Sequence, residues 1–433
     1  MQATDFPKKY HQERPAMTLK LFTNKDIANK IVLVRTDYNV PLKKKGKSWQ
    51  VVEAQRIQNS LPLIEELRKN KAKIILMSHL GRPKGEVKPE FSLKPIADYL
   101  KKSCRLPVTF SEEVIGEKVN KMVSELKEGE ILLLENLRFH AEEKKNDTAF
   151  AKKLASLADV YINEAFSASH RAHASIAAIG KYLPSFAGLH LQKEVEHLSK
   201  LMTNPVQPFV MVIGGAKISD KVEAVGNLHK VASVVLLGGG VANNFLKAEG
   251  IETHKSYLEE ADKDSKISYL DLAGKLVTEN KTEKVLKDGY IPLPKLMTPI
   301  DVVAAPNKDS RKTQVINLSS GMKDTPDDED LMYLDIGPRT AKLYADLLMQ
   351  ARTIFWNGPL GVFEKNQFSH GTQAIARAIV NSGAESFVGG GDTITAINKF
   401  GLAGRFNYVS SAGGAALEFL AGKKLPGIEV AKK

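Results

Sequence analysis

Short apolar runs rich in β-branched residues alternate with amphipathic helical stretches along most of this chain. In the first half the runs cover residues 31–34, 74–77, 131–134 and 160–162. Such alternation is typical of parallel sheets covered by helices on both faces, and it predicts an α/β fold. Because folds of this kind bind ligands at the carboxyl ends of their strands, the residues that follow each run are the first candidates for function.

The length of 433 residues exceeds what one hydrophobic core usually spans, so we expect two domains. We predict two doubly wound, Rossmann-like parallel-sheet domains, at residues 17–188 and 203–409, joined by an interdomain helix at 189–202. Residues 410–433 are predicted to form a separate C-terminal segment. Residues 1–16 are polar and lack an apolar core, which predicts a disordered extension.

The composition of the chain limits the cell compartments and the kinds of partner that we expect. A single cysteine, Cys104, excludes an internal disulfide framework and predicts a cytoplasmic protein. No apolar stretch approaches the roughly 18 residues that span a bilayer, so we expect no membrane partner. The net charge of +12 suits nucleic acid or small anionic substrates. Because aromatic residues do not interleave with the basic ones, nucleic acid is the less favoured alternative.

Cationic and carboxamide residues follow the four runs of the first half. The candidates for contacts with an anion are Arg35, Arg56, Arg82, Arg138 and Arg171, of which Arg56 alone lies in a predicted helix, residues 56–70. An isolated arginine is usually a surface residue, but the ends of neighbouring parallel strands share one crevice, so together they predict an anion site. Asp37 and Asn39 suit recognition of a hydroxyl or carboxamide of a small substrate, and Asp37 is also a candidate to pair with an arginine.

A metal site at His170 and His173 is rejected. No third ligand accompanies this pair, and Arg171 between the two histidines disfavours a cation.

The runs of the second half end on glycines, at residues 214–217, 238–240 and 389–393. None of them matches the P-loop or the dinucleotide fingerprint. Lys217 and Lys221 are expected in the first turn of a helix, where free N–H groups already favour phosphate. The alternative is that both are surface lysines paired with Asp220 and Glu223.

Residues 389–393 predict a second phosphate-binding turn. Asp392 there suits Mg²⁺, which takes one or two carboxylates together with substrate oxygens. Alternatively, Asp392 or Thr393 caps the helix expected at residues 394–400. Residues 410–414 open a further helix and form a weaker anion site of the same kind.

At these residues the chain resembles the phosphoglycerate kinases, and the resemblance covers nearly everything from Met17 to the C-terminus. The matching blocks are residues 35–42, 78–83, 135–139, 170–173, 214–217, 356–359, 362–364 and 389–393. The resemblance implies a monomeric, hinge-bending enzyme of glycolysis and gluconeogenesis. It implies a reversible, Mg²⁺-dependent transfer of the acyl phosphate of 1,3-bisphosphoglycerate to ADP, giving 3-phosphoglycerate and ATP.

The resemblance also implies residue roles. The N-terminal domain would bind 3-phosphoglycerate through Asp37, Asn39, Arg56, His79, Arg82, Arg138, His170 and Arg171. The C-terminal domain would bind ATP or ADP through Gly215, Lys217, Lys221, Gly239, Asn357, Glu364, Gly390, Gly391, Asp392 and Thr393, with Glu364 on the ribose and Asp392 on magnesium. The catalytic groups would be Arg56, Lys217, Gly413 and Gly414. Residues 414–430 would return to the N-terminal domain.

The chain departs from the usual family pattern at a few positions. Glu164 and Ser167 stand where aspartate and glycine are usual, and Ser411 and Ala412 stand where threonine and glycine are usual. These changes are expected to affect hinge or loop geometry and the fit of the transferring phosphate without removing a charged group. The alternative function is a non-catalytic nucleotide sensor that keeps the fold.

Overall fold

The computed structural model describes residues 18–46, 48–261, 268–279, 294–318, 330–410 and 412–433. The predictions for residues 1–16 and for Ser411 lie outside these residues. The described chain divides into two compact units. The first unit contains the described residues up to 196 together with residues 424–433, and the second contains residues 197–423.

The strands follow one another along the chain with helices between them. They are β1 Ile31–Arg35, β2 Leu42–Lys45, β3 Ser48–Val51, β4 Lys73–Met77, β5 Val108–Phe110, β6 Ile131–Leu133, β7 Val160–Asn163, β8 Ser185–Ala187, β9 Phe209–Ile213, β10 Val234–Leu237, β11 Leu296–Met297, β12 Asp301–Ala305, β13 Gln314–Asn317, β14 Met332–Ile336, β15 Thr353–Asn357, β16 Glu385–Gly389 and β17 Tyr408–Ser410.

The α-helices are α1 Asn24–Ile27, α2 Gln55–Gln58, α3 Leu61–Lys69, α4 Lys94–Lys102, α5 Glu117–Glu125, α6 Ala141–Lys144, α7 Thr148–Ala155, α8 Leu189–Thr203, α9 Val222–Leu228, α10 Gly239–Ala248, α11 Tyr269–Glu279, α12 Pro338–Leu348, α13 His370–Asn381, α14 Gly391–Lys399, α15 Gly413–Leu420 and α16 Pro426–Glu429. Short 3-10 helices lie at Pro89–Phe91, Leu137–Phe139, Phe166–Ala168, Ala178–Lys181 and Asn366–Phe368. No helix of the described residues has both the length and the apolar character that a membrane span requires.

Each unit is built on a six-stranded parallel sheet, which confirms the predicted fold class. The strand order is β5-β6-β4-β1-β7-β8 in the first unit and β11-β10-β9-β15-β16-β17 in the second. Alternate residues of β1 pack into different apolar clusters, Val32 and Val34 on one face and Leu33 on the other. Burial on both faces explains why these strands read as continuous apolar runs.

Residues 302–305 form a further apolar run, which by its pattern would continue the alternation of the parallel sheet, but they belong to a separate sheet. Strand β12 pairs antiparallel with both β13 and β14. A run of Val and Ala fits a buried antiparallel strand as well as a parallel one, so the apolar pattern alone does not separate the two.

The helix predicted over residues 56–70 is interrupted. Helix α2 ends at Gln58 and α3 begins at Leu61, with Pro62 in its first turn. Proline lacks an N–H and its ring clashes with the preceding turn, so it is tolerated only at the start of a new helix. The break leaves Arg56 on a separate short helix.

The C-terminus belongs to the first unit from residue 424 onwards, while residues 410–423 group with the second unit. Lys20 N donates to the carbonyl oxygen of Ala431 at 2.7 Å, and Gly427 N donates to that of Ser169 at 2.9 Å. These main-chain bonds tie the last residues to the start of the first unit and to the segment that follows β7.

Candidate functional site

In the first unit the functional candidates lie beyond the carboxyl ends of four adjacent strands, β6, β4, β1 and β7. Asp37 follows β1, His79 follows β4, Arg138 lies in the 3-10 helix after β6, and Arg171 lies in the segment after β7. At the end of β1, Arg35 pairs with Met77 of β4 on one side and with Asn163 of β7 on the other. These strand ends therefore lie at one edge of the sheet.

Asp37 contacts several of the other residues at this edge. Its Oδ2 accepts a hydrogen bond from Arg56 Nη1 at 2.5 Å, and its Oδ1 accepts one from Asn39 N at 3.1 Å. The Oδ1 atom also lies 4.0 Å from His79 Nδ1. The hydroxyl of Ser167 donates to Oδ2 as well. Asp37 therefore pairs with an arginine, as the sequence suggests, and its Oδ1 atom lies beside His79.

Arg35 lies behind the edge and not at its surface. The side chain is fully buried, and its Nε donates to Ser175 Oγ at 2.9 Å while Nη1 donates to the carbonyl oxygen of Thr36. Ser175 Oγ in turn donates to the buried Glu143 carboxylate at 2.6 Å. The expectation that Arg35 contacts an anion is not met, because the side chain is fully buried and each of its three nitrogens bonds to the protein.

Arg35 sets the protonation state of His79. Its Nη2 lies 3.1 Å from His79 Nδ1, and a guanidinium can only donate, so Nδ1 is the acceptor. Burial first, and then the charges of Arg35 and Arg138, hold the pKa of His79 well below its usual value. The imidazole is therefore neutral and carries its proton on Nε2.

The other cations of this edge crowd one another. Burial and the neighbouring charge of Arg171 lower the pKa of Arg138 to about 10. The same two causes lower the pKa of His170 to about 4, and burial with Arg35 and Arg138 lowers that of His173 to about 3. Burial is the larger cause in each case and the neighbouring arginine charges add to it, so the arginines concentrate positive charge at this edge, which favours an anionic ligand.

The loop after β4 is fixed by two contacts at Gly81. Asn39 Oδ1 accepts from Gly81 N at 2.9 Å, and Arg138 Nη1 donates to the carbonyl oxygen of Gly81 at 2.6 Å. Arg82, the next residue, is exposed. The structure thus joins Asp37, Asn39, Arg56 and Arg138 in one hydrogen-bonded group through Gly81, with His79 and Arg82 beside it.

In the second unit the candidates line a cavity of about 610 Å³. It lies beyond the ends of the adjacent strands β9, β15 and β16, and the start of α15 completes its wall. Its lining includes Gly215, Lys217, Lys221, Asn357, Gly390, Gly391, Asp392, Thr393, Gly413 and Gly414. Sequence reasoning missed Ser219, Glu418 and Lys423, which also line it and which no motif marked.

Glycines allow the loops of this cavity to pack backbone against backbone. A Cβ on Gly214 would lie 2.2 Å from the carbonyl oxygen of Pro359, and one on Gly413 would lie 2.8 Å from Gly390 Cα. Only residues without a side chain permit such close approach. The result is a wall of main chain at the start of α14 and α15, whose first N–H groups lack partners within their helices.

Two polar side chains of the wall have distinct roles. Thr393 Oγ1 accepts from Gly358 N at 2.7 Å, joining the loop after β15 to α14, and α14 has no side-chain cap, so the capping alternative for Asp392 and Thr393 is wrong. Asn357 is 2% exposed, and its Nδ2 has no hydrogen-bond partner. A buried amide without a partner at a cavity wall is a ready donor for a ligand.

The two lysines differ from the prediction in their local structure. Helix α9 begins at Val222, so Lys221 is its N-cap residue and Lys217 lies in the loop before it. Lys221 is 8% exposed, and burial lowers its pKa against the opposing charges of Asp220 and Asp392. A nearly buried lysine of this kind is not a surface residue, which removes that alternative for Lys221.

Gly239 and Glu364 do not line the cavity. Gly239 N donates to the carbonyl oxygen of Leu360 at 3.0 Å, and Glu364 is exposed in the turns after β15. Lys399 Nζ donates to the carbonyl oxygens of Phe363 at 2.8 Å and Glu364 at 3.1 Å. The loop that carries Glu364 is thereby held to the end of α14.

Glu164, which stands where aspartate is usual in the family, binds the first turn of helix α8 through its carboxylate. It is 3% exposed, and both of its carboxylate oxygens accept from His190 N, at 3.1 and 3.0 Å. Burial raises the pKa of Glu164 well above its usual value. A side chain at Gly188 would meet this carboxylate, since a Cβ there would lie 2.0 Å from Oε2.

The first parallel-sheet unit carries an arginine-rich edge, and the second carries a cavity walled by glycines. Together these features define an α/β protein that binds anionic ligands. The sequence model of the family "Phosphoglycerate kinase" matches residues 22–423. The phosphoglycerate kinase of Moorella thermoacetica is 46% identical over 404 residues, which are 93% of this chain and 96% of the relative. That of Pelotomaculum thermopropionicum is 42% identical over 415 residues, covering 95% and 98%.

Solved structures agree with the sequence comparisons. The structure of phosphoglycerate kinase from Coxiella burnetii has a TM-score of 0.76 and 38% identity, covering 94% of this chain and 97% of that one. The enzyme from Pyrococcus horikoshii has a TM-score of 0.77 and 32% identity, covering 94% and 96%. The chain belongs to the phosphoglycerate kinase family, and it is accordingly a phosphotransferase that binds phosphoglycerate and nucleotide.

Proposed function

We propose that this protein catalyses the reversible, Mg²⁺-dependent transfer of the acyl phosphate of 1,3-bisphosphoglycerate to ADP, giving 3-phosphoglycerate and ATP, in glycolysis and gluconeogenesis. The observation that carries the proposal is the gathering of Arg82, Arg138 and Arg171 beyond neighbouring strand ends at one edge of the first sheet. There the pKa values of Arg138, His79 and His170 are all lowered by burial and neighbouring arginines. A small, multiply charged anion relieves that crowding.

In this proposal the first unit binds the phosphoglycerate. Arg138 and Arg171 supply charge for its phosphate and carboxylate groups, and neutral His79 donates from Nε2. Asp37 holds Arg56, and Asn39 holds the loop that carries Arg82. His170 accepts from Arg171 Nε at 3.0 Å, which orients that guanidinium.

The second unit binds the nucleotide in the cavity at β9, β15 and β16. Lys217 and Lys221 supply charge, Asn357 Nδ2 supplies an unused donor, and the main chain at Gly390 and Gly413 supplies the phosphate-binding wall. Glu364, held by Lys399, is assigned to the ribose. Gly215, Gly391, Thr393 and Gly414 complete the proposed nucleotide site, and Gly239 supports it from behind the wall, where a Cβ would lie 2.9 Å from the Gly215 carbonyl oxygen.

The residues of the cavity fit a magnesium ion. Asp392 lines the wall with its carboxylate, and one carboxylate together with phosphate oxygens is a usual magnesium environment. Among the described residues no cluster of three His, Cys, Asp or Glu side chains is placed to bind a metal, so phosphate oxygens of the nucleotide would supply the remaining ligands. The bound ion would neutralise phosphate charge next to Asp392.

In the proposed reaction no side chain of the protein forms a covalent bond to a substrate. The bond between the acyl oxygen and phosphorus breaks while one forms to an oxygen of the ADP β-phosphate, and both oxygens carry their charge without a proton. Catalysis therefore rests on alignment and on neutralising the moving group, which we assign to Arg56, Lys217 and the N–H groups of Gly413 and Gly414. We propose that hinge closure aligns the substrates and excludes water.

The test is a coupled assay of ADP phosphorylation with the wild type and Arg56→Ala. We expect the substitution to lower turnover at saturating substrates by about 10²–10³-fold, because it removes charge stabilisation of the transferring group, and to leave the KM for ADP within about threefold. Arg105→Asn is the control, since Arg105 is exposed and its φ of 54° suits asparagine. Near-normal turnover of Arg56→Ala would refute the role of Arg56.

Location and assembly belong to the same proposal. We propose a monomer in the cytoplasm. Sedimentation at assay concentration checks the first point, and a mass of about twice the chain's 47.6 kDa would contradict it. Fractionation of cells checks the second.

A further inference from the structure

We propose that Ser167 is a positioning residue of the phosphoglycerate site, which fixes the Asp37 carboxylate and, through it, the guanidinium of Arg56. This inference rests on the proposed function of the first unit and adds to it a side-chain role for Ser167, which the sequence marks only as a departure from the usual family pattern.

The fold brings Ser167 to Asp37 from the neighbouring strand. Ser167 is the middle residue of the 3-10 helix Phe166–Ala168, which follows β7, and Asp37 follows β1. Strands β1 and β7 pair in parallel. Their following segments therefore lie side by side, and a short hydroxyl side chain is enough to reach the carboxylate.

The hydroxyl of Ser167 and Nη1 of Arg56 bind the same oxygen. Both donate to Asp37 Oδ2, with the Arg56 contact at 2.5 Å, while Oδ1 accepts from Asn39 N at 3.1 Å. The two lone pairs of Oδ2 are thereby used. Asp37 is held on both oxygens, and a substrate hydroxyl would find an accepting lone pair at Oδ1.

Asp37 and Arg56 differ in exposure, and this difference explains why the additional hydrogen bond from Ser167 matters. The Asp37 side chain is 10% exposed, whereas that of Arg56 is 31% exposed. A long, partly exposed arginine loses conformational entropy when it is held in one place, and its ion pair alone fixes the carboxylate poorly. Ser167 belongs to a short main-chain helix after β7, so its hydroxyl anchors Asp37 to the framework of the sheet.

The expected effect is modest and specific to one substrate. Loss of one hydrogen bond to a charged group should raise the Kd for 3-phosphoglycerate of Ser167→Ala about fivefold, which corresponds to about 1 kcal/mol. The KM for 3-phosphoglycerate should rise by a similar factor, and the KM for ATP should stay within about twofold. Ser167→Thr keeps the hydroxyl and should restore binding to within about twofold of wild type.

A double-mutant cycle with Asp37→Ala separates positioning from a direct contact. If Ser167 acts through Asp37, adding Ser167→Ala to Asp37→Ala should not weaken calorimetric binding of 3-phosphoglycerate further. Ser156→Ala is the matched control, because this exposed serine also uses its hydroxyl for one local hydrogen bond, to the carbonyl oxygen of Lys153 at 2.8 Å. Thermal unfolding of every variant monitors the fold.

The outcomes are distinguishable. Wild-type binding by Ser167→Ala, with weakened binding by Asp37→Ala, would overturn this inference and leave the proposed function standing. A full fivefold loss in the Asp37→Ala background would also overturn it, since Ser167 would then act without Asp37. Unchanged binding in both Asp37→Ala and Arg56→Ala would overturn the proposed site, and this inference with it.

Discussion

The buried histidines of the first unit make its stability depend on pH. His173 is 7% exposed, and burial together with Arg35 and Arg138 lowers its pKa from 6.5 to about 3. In the unfolded chain the same imidazole takes up a proton below about pH 6.5. Between those two values the unfolded state binds more protons than the folded state, so the free energy of unfolding falls as the pH falls.

The magnitude follows from linkage. One such group changes the free energy of unfolding by at most about 1.4 kcal/mol per pH unit, so His173 alone removes about 1–2 kcal/mol between pH 7.5 and pH 5. Between pH 7.5 and pH 5, the free energy of unfolding of His173→Gln should therefore fall by about 1–2 kcal/mol less than that of the wild type, because glutamine does not titrate. His170 and His190, whose pKa values burial lowers to about 4, act in the same direction.

The assay is urea unfolding followed by circular dichroism at several pH values between 5 and 7.5. The quantity compared is the slope of unfolding free energy against pH, which cancels any constant loss of packing in the variant. His370→Gln is the control, because His370 is exposed at the start of α13 in the second unit. Equal slopes for His173→Gln and the wild type would refute the reasoning.

Two further predictions concern the cavity of the second unit. Asp392→Asn should raise the Mg²⁺ concentration for half-maximal activity several-fold, because an amide is a weaker ligand than a carboxylate, and unchanged metal dependence in the coupled assay would count against Asp392. Gly413→Ala should weaken ATP binding about tenfold or more in calorimetry, since its Cβ would lie 2.8 Å from Gly390 Cα and displace the wall. Gly226→Ala, whose Cβ meets nothing within 4 Å, is its control, and equal affinities of the two variants would contradict this account.

The sequence was sufficient to predict the two parallel sheets and the edge of the first sheet at which the candidate residues lie. Strands buried on both faces read as apolar runs, and the ends of neighbouring parallel strands must share one edge. That reasoning placed Asp37, His79 and Arg138 together, as the structure has them. It could not order the strands, so it could not show that Ser167 reaches Asp37.

Other features depend on tertiary packing that sequence patterns do not carry. Arg35 ends a strand near the other cations, yet its side chain turns inward because buried Ser175, which itself donates to Glu143, accepts its Nε–H there. Thr393 reads as a helix cap, yet its hydroxyl bonds Gly358 in another loop. In both cases the deciding partner is more than 30 residues away, beyond the reach of local propensity.

The central claim is that the cations of the first unit bind the phosphoglycerate while the nucleotide binds in the second unit. Its most direct test is NMR of the histidine rings of the intact protein during separate titrations with 3-phosphoglycerate and with ATP. We predict that 3-phosphoglycerate alone shifts the ring resonances of His79 and His170, whose assignments come from His79→Gln and His170→Gln. Shifts of these rings by ATP, with none by 3-phosphoglycerate, would contradict the account.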